Sequence, residues 1–132
     1  MRKVAPLVGA VLIAVVGCRT ATIKNVTNAP LAPAPNTTLT MEDVSKAIRT
    51  AGESLGWVIQ DVRPGELTGT LNQRKHVAVV TITHDTSTFS INYQDSQNLM
   101  HQGQDIHRRY NYWVQRLAKE IQAEIGRRSA PQ

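Results

Sequence analysis

Four histidines, His76, His84, His101 and His107, supply the residue type best suited to holding a metal or moving a proton near neutral pH. His76 and His84 bracket an apolar, β-branched run and stand eight residues apart. In a strand that even spacing puts both on one face but about 26 Å apart, too far to share an ion. His101 and His107 flank Gly103 and have no Cys, Glu or further His at ligand spacing. The expectation is therefore no metal, with imidazoles that are solvated or hydrogen-bonded. Ser96, Asp95 and His107 are the residue types of a serine hydrolase, but no nucleophile-elbow motif surrounds the serine. Asp95 and Asp105 could pair across a polar loop as the two carboxylates of glycoside chemistry. Gly65, Gly69 and Gly103 are isolated and form no phosphate cradle. The pattern predicts no catalytic residues, no cofactor and no enzyme.

The single cysteine suggests a different chemistry. Met1-Arg2-Lys3 is a short basic start, and Val4 to Val16 is an apolar run interrupted only by Pro6, Gly9 and small residues. As a helix that run rises only about 20 Å, short of the roughly 30 Å hydrocarbon core, so it reads as a signal-peptide segment. It closes in Val15-Val16-Gly17-Cys18. This tetrad resembles the lipobox of bacterial lipoproteins. The resemblance implies cleavage between Gly17 and Cys18, thioether diacylation of Cys18 and acylation of the new amino group. One acyl chain binds a membrane only marginally, whereas two or more anchor it stably. Residue 19 is Arg. In enterobacterial lipoproteins Asp at that place retains the protein in the inner membrane, so the resemblance favours the outer membrane.

The chain has 132 residues, 15 Lys+Arg against 10 Asp+Glu, and a formal charge of +5. Loss of residues 1–17 removes Arg2 and Lys3 and leaves about +3. This length and composition bound the chain to one small domain, and exclude a disulfide-stapled mini-protein and a multi-span membrane protein. From Thr20 to Thr40 the chain carries Pro30, Pro33 and Pro35 among Ala, Asn and Thr, with few large apolar residues. Such a segment is expected to stay extended as a flexible tether. The sequons at Asn25 and Asn36 are read as chance.

Four divisions follow: a signal peptide at 1–17, the lipidated Cys18 with a tether at 18–39, a domain at 40–127 and a disordered tail at 128–132. Within the domain, Thr40 is a good N-cap before Met41-Glu42-Asp43. Val44, Ala47, Ile48, Ala51 and Leu55 then repeat on one helical face, and Gly56 supplies a stop. Trp57 to Val62, Glu66 to Asn72, Val77 to His84 and a run through Phe89, Ile91 and Tyr93 read as four strands joined by short turns. Ile106, Tyr110, Trp113, Leu117, Ile121 and Ile125 then set out a second amphipathic helix. The fold class expected is α+β: helix, four-stranded antiparallel meander, helix, with both helices on one face of the sheet.

Ser96-Gln97-Asn98-Leu99, followed by Ile106 to Val114 (His107-Arg108-Arg109-Tyr110-Asn111-Tyr112-Trp113 between them), resembles a group of small uncharacterised bacterial lipoproteins. That likeness covers most of 57–125 and implies an envelope lipoprotein of this layout, without implying an activity. On the second helix Arg108, Arg109, Arg116, Lys119 and Arg127 fall within a roughly 100° arc, with Tyr112 among them. They are candidate contacts for anionic lipid or an acidic envelope protein, against the plainer reading of a solvated face. Tyr110 and Trp113 are expected in the core and Tyr112 outside it. The function expected is a membrane-anchored periplasmic lipoprotein of the cell envelope, a non-enzymatic binding or accessory subunit, with no nucleic-acid partner. The alternative is a small hydrolase or inhibitor acting on cell-wall material through a pocket lined by Ser96, His107 and Asp105.

Overall fold

A computed structural model describes residues 19–129. The expected signal peptide, Cys18 and the last three residues of the tail lie outside that range. The architecture is α+β. Its elements run β1 (Thr20–Thr22), β2 (Val26–Pro30), α1 (Met41–Ser54), β3 (Trp57–Arg63), β4 (Glu66–Gln73), β5 (His76–His84), β6 (Thr88–Gln97), β7 (Asp105–His107) and α2 (Arg109–Ser129).

Thr40 caps α1 in both directions. Its hydroxyl accepts from the Asp43 amide at 3.0 Å, and the Asp43 carboxylate accepts from the Thr40 amide at 2.9 Å. The Thr40 amide first, and then the Thr40 side chain, hold the Asp43 carboxyl below its ordinary value. The helix stops where Gly56 turns to φ +90°. α1 packs tightly on the sheet at Gly52, where a Cβ would stand 2.5 Å from the Ile59 side chain.

Strands β3 to β6 form the expected antiparallel meander, but the sheet has five strands, ordered β2-β6-β5-β4-β3. Along each strand, alternate residues are buried: Trp57 and Ile59, Leu67 and Leu71, Ala78, Val80 and Ile82, Phe89 and Ile91. They merge into one cluster with Val44, Ala47, Ile48 and Ala51 of α1 and Tyr110, Val114, Leu117, Ile121 and Ile125 of α2. The other sheet face carries Thr68, Thr70, Thr81, Thr83 and Asn92, the pattern of an antiparallel sheet wetted on one side.

Three sequence expectations are corrected. The segment from residue 19 to 39 is part of the fold and not a tether. Its β1 pairs with β7 and its β2 with the outer edge of β6. Leu31, just beyond, is fully buried. Few large apolar residues suffice here, because an edge strand needs one partner and Pro30 ends it harmlessly. Side chains stitch the rest down. Asn111 of α2 accepts from the Lys24 amide and donates to the Thr22 carbonyl, Gln122 donates to the Pro30 carbonyl, and Ser129 accepts from the Ala34 amide. Second, Ile106 belongs to a short strand and not to the second helix; its side chain reaches the core from there. Third, that helix runs through Ser129 and so takes up the start of the expected tail.

Leu31→Ala is expected to cost about 3 kcal/mol of unfolding free energy, as for other fully buried leucines. Denaturant unfolding checks it, and a change under about 0.5 kcal/mol would mean the segment is not packed as described.

Candidate functional site

The short β7 strand fixes the position of the groups most able to bind a ligand. Leu99 and Ile106 are both buried, which pins each end of the intervening loop. The His107 amide donates to the Leu99 carbonyl at 2.7 Å, and Gln102 and Asp105 exchange backbone hydrogen bonds at 2.9 and 3.0 Å. On the other side of β7, Thr20 stands opposite His107, and the Arg108 amide donates to the Arg19 carbonyl at 3.0 Å. These pairings bring Arg19 beside Arg108 and Arg109, about ninety residues later in the chain.

A second clamp supplies His76. Its Nδ1 lies 2.7 Å from the Asn98 carbonyl, and the Asn98 amide group donates to the Lys75 carbonyl at 2.7 Å. A carbonyl only accepts, so Nδ1 of His76 carries a proton. The His76 ring lies 6.2 Å from that of His107 and 6.5 Å from that of Trp113. At His107 the roles differ, since Nδ1 accepts from the Arg109 amide at 3.1 Å. In the neutral ring the proton therefore sits on Nε2.

Together Arg19, His76, Asn98, Met100, His107, Arg108 and Arg109 line an open cleft of about 400 Å³. No carboxylate is among them. Among the described residues none of the three arginines joins an ion pair. Burial first, then the positive charges of Arg109, His76, Arg108 and Arg19, hold the His107 imidazole below its ordinary value. The first turn of α2, which opens at Arg109, holds no acid to offset the positive end of its dipole. Such a surface attracts anions.

The expected basic stripe of α2 divides in two. Arg108, just before the helix, and Arg109 border the cleft. Arg116 stands 5.8 Å above the Tyr112 ring, Tyr112 is well exposed as expected, and Lys119 is exposed. At the far end Arg127 is held by Glu120 and Glu124, and Arg128 by Glu124. Arg127 is thereby lost to the stripe. Arg19, His76 and Asn98 were absent from it, because only strand pairing and loop clamps bring them to Arg108.

The residue types of the hydrolase alternative are engaged with other partners. The Ser96 hydroxyl pairs with the Tyr93 hydroxyl at 2.8 Å, His107 serves the cleft, and Asp105 sits exposed opposite Thr22. Asp95, next to Ser96 on β6, faces across to Val79. The serine and histidine that do meet are Ser45 of α1 and His84 of β5, both buried, with Oγ and Nε2 2.8 Å apart. Nδ1 of His84 faces the Asp85 carbonyl at 3.0 Å, so Nε2 accepts from the Ser45 hydroxyl. Ser45 also borders a cleft of about 250 Å³ with Glu42, Asp61 and Arg63. The Asp85 carboxylate takes no part, because it accepts the Ser87 and Thr88 amides at 2.7 Å each. His101 stacks near Tyr93, with ring centroids 4.6 Å apart. Among the described residues no three His, Cys, Asp or Glu side chains gather as metal ligands, and no helix is long and apolar enough to cross a membrane.

Behind the cleft, Tyr110 lies fully buried in edge contact with Tyr93, and among the described residues its hydroxyl has no hydrogen-bond partner. Burial, followed by Tyr93, pushes its pKa well up. An unsatisfied buried hydroxyl carries a desolvation cost of roughly 1–3 kcal/mol. Tyr110→Phe is therefore expected to leave stability unchanged or raise it by about 1 kcal/mol in denaturant unfolding. A loss larger than that would reveal a partner for the hydroxyl.

Comparison with protein-family models, curated proteins and solved structures finds no match.

Proposed function

We propose that this chain is a lipid-anchored periplasmic lipoprotein of the bacterial cell envelope, acting as a non-enzymatic binding or accessory subunit. Acyl chains on Cys18 hold it to a membrane, with the outer membrane favoured by Arg19 at the sorting position. The observation that supports this reading most is the location of the unpaired positive charge. Arg19, the residue after Cys18, is already paired into the fold through its carbonyl and shares its cleft with Arg108 and Arg109. An anchored domain built this way holds its cationic end against the membrane surface, where anionic headgroups attract basic side chains by about 1 kcal/mol each. With residues 19–39 folded, the domain stands close to its anchor. The open polar sheet face and the exposed Tyr112 are left for a protein partner.

Metabolic labelling with a palmitate analogue tests the anchor. The wild-type chain is expected to take the label and sediment with membranes, and Cys18→Ser to lose the label entirely. Label retained by Cys18→Ser would defeat the reading.

A further inference from the structure

We propose that the cleft lined by Arg19, His76, His107, Arg108 and Arg109 is a binding site for a phosphate monoester. Its source is either the headgroup of an anionic lipid or a soluble phosphate ester. The proposal deepens the reading of the chain as a membrane-anchored binding subunit, and the lipid source rests on the anchor at Cys18.

The donor set matches the oxygens of a phosphate. Each guanidinium is a planar fork that can grip two phosphate oxygens at once. Three converge here, and among the described residues none is drawn off by a carboxylate. In neutral His107 the remaining ring nitrogen, Nε2, is an N–H donor, because Nδ1 already accepts from the Arg109 amide. The cleft volume of about 400 Å³ falls in the range of small-ligand sites.

The backbone beneath the donors is fixed in advance. Arg19 and Arg108 are joined through it, His107 is tied to Leu99, and the His76 ring is tied to Asn98, itself tied to Lys75. The three arginine side chains are exposed and are ordered on binding. Holding these cations side by side is unfavourable by itself, and after burial that repulsion helps hold the His107 imidazole below its ordinary value. A bound dianion reverses the balance at His107. The charged and titratable groups facing that ring are Arg108 and Arg109 beside it, His76 from β5 and Arg19 from the N-terminal segment. All are cationic or neutral, so an added anion can only favour the imidazolium. Bound phosphate and the His107 proton therefore favour each other.

The test follows the histidine ring signals of the mature acylated protein by NMR in neutral detergent micelles at low salt. One arm adds inorganic phosphate, a second dopes the micelles with phosphatidic acid, and a control dopes them with phosphatidylcholine. A phosphate-bearing arm is expected to raise the His107 midpoint by about one pH unit, a tenfold gain in proton affinity. The control is expected to change nothing. Arg108→Ala with Arg109→Ala should remove the response. The His84 signal, about 26 Å along β5 from His76, should stay in place and report an intact fold. Response to phosphatidic acid alone identifies a headgroup site. Response to both, or to inorganic phosphate alone, identifies a site for phosphate itself. No response in either arm, or an equal response in the double variant, overturns the proposal. Palmitate labelling is independent of the cleft, so a labelled chain with a silent His107 would keep the anchor and lose the site.

Discussion

Leu31 is inserted into the core with no part of its side chain exposed, and its amide is tied to the Ser87 carbonyl at 2.9 Å. That insertion requires the preceding residues to run along β6. Val26 stands opposite Ile91 and Ala29 opposite Phe89, with an irregularity between them where Asn28 takes φ +49°. The pairing converts an exposed hydrophobic edge at β6 into an interior strand and moves the sheet margin to a short, proline-ended one. Leu31 also directs the chain to the end of α2, where Ser129 accepts the Ala34 amide and its carbonyl accepts from Thr37. Each of these contacts joins positions more than fifty residues apart.

Electrostatics follow from the same constraint. Because β1 pairs with β7, Arg19 is held against Arg108 and is not free to trail in solvent. The basic side chains of the molecule are then divided. Arg127 and Arg128 are neutralised on α2 and Arg49 is bonded to Asp61, whereas Arg19, Arg108 and Arg109 share one cleft without an acid. Exposed pairs contribute little to stability, typically about 0–1 kcal/mol. Their main effect is on where the field points. Among the described residues, three unpaired arginines share the cleft beside the residue that follows Cys18.

Much of the helix-and-meander layout was legible because those elements carry their own signals. Thr40, the apolar face from Val44 to Leu55 and Gly56 define α1 almost to the residue. The turns at Pro64-Gly65 and Asp85 to Ser87 bound strands whose alternation is plain. The N-terminal strands gave no such signal. Thr20 to Pro35 has too few apolar residues for a pattern, and its order comes from distant partners, Asn111, Ser129 and the β6 edge. The cleft was half visible for the same reason. Arg108 and Arg109 showed in helical phase, whereas Arg19 and His76 reach them only through tertiary pairing. The Ser45–His84 pair, 39 residues apart, left no trace in any motif.

Amide hydrogen exchange on the full-length protein tests the central claim, that residues 19–31 are built into the domain, most directly. The amides of Ile23 and Leu31, which donate to Gln104 and Ser87, are predicted to be protected to the same degree as those of β6. Exchange of the 19–31 amides at the rate of an unstructured chain, with β4 and β5 still protected, would contradict it.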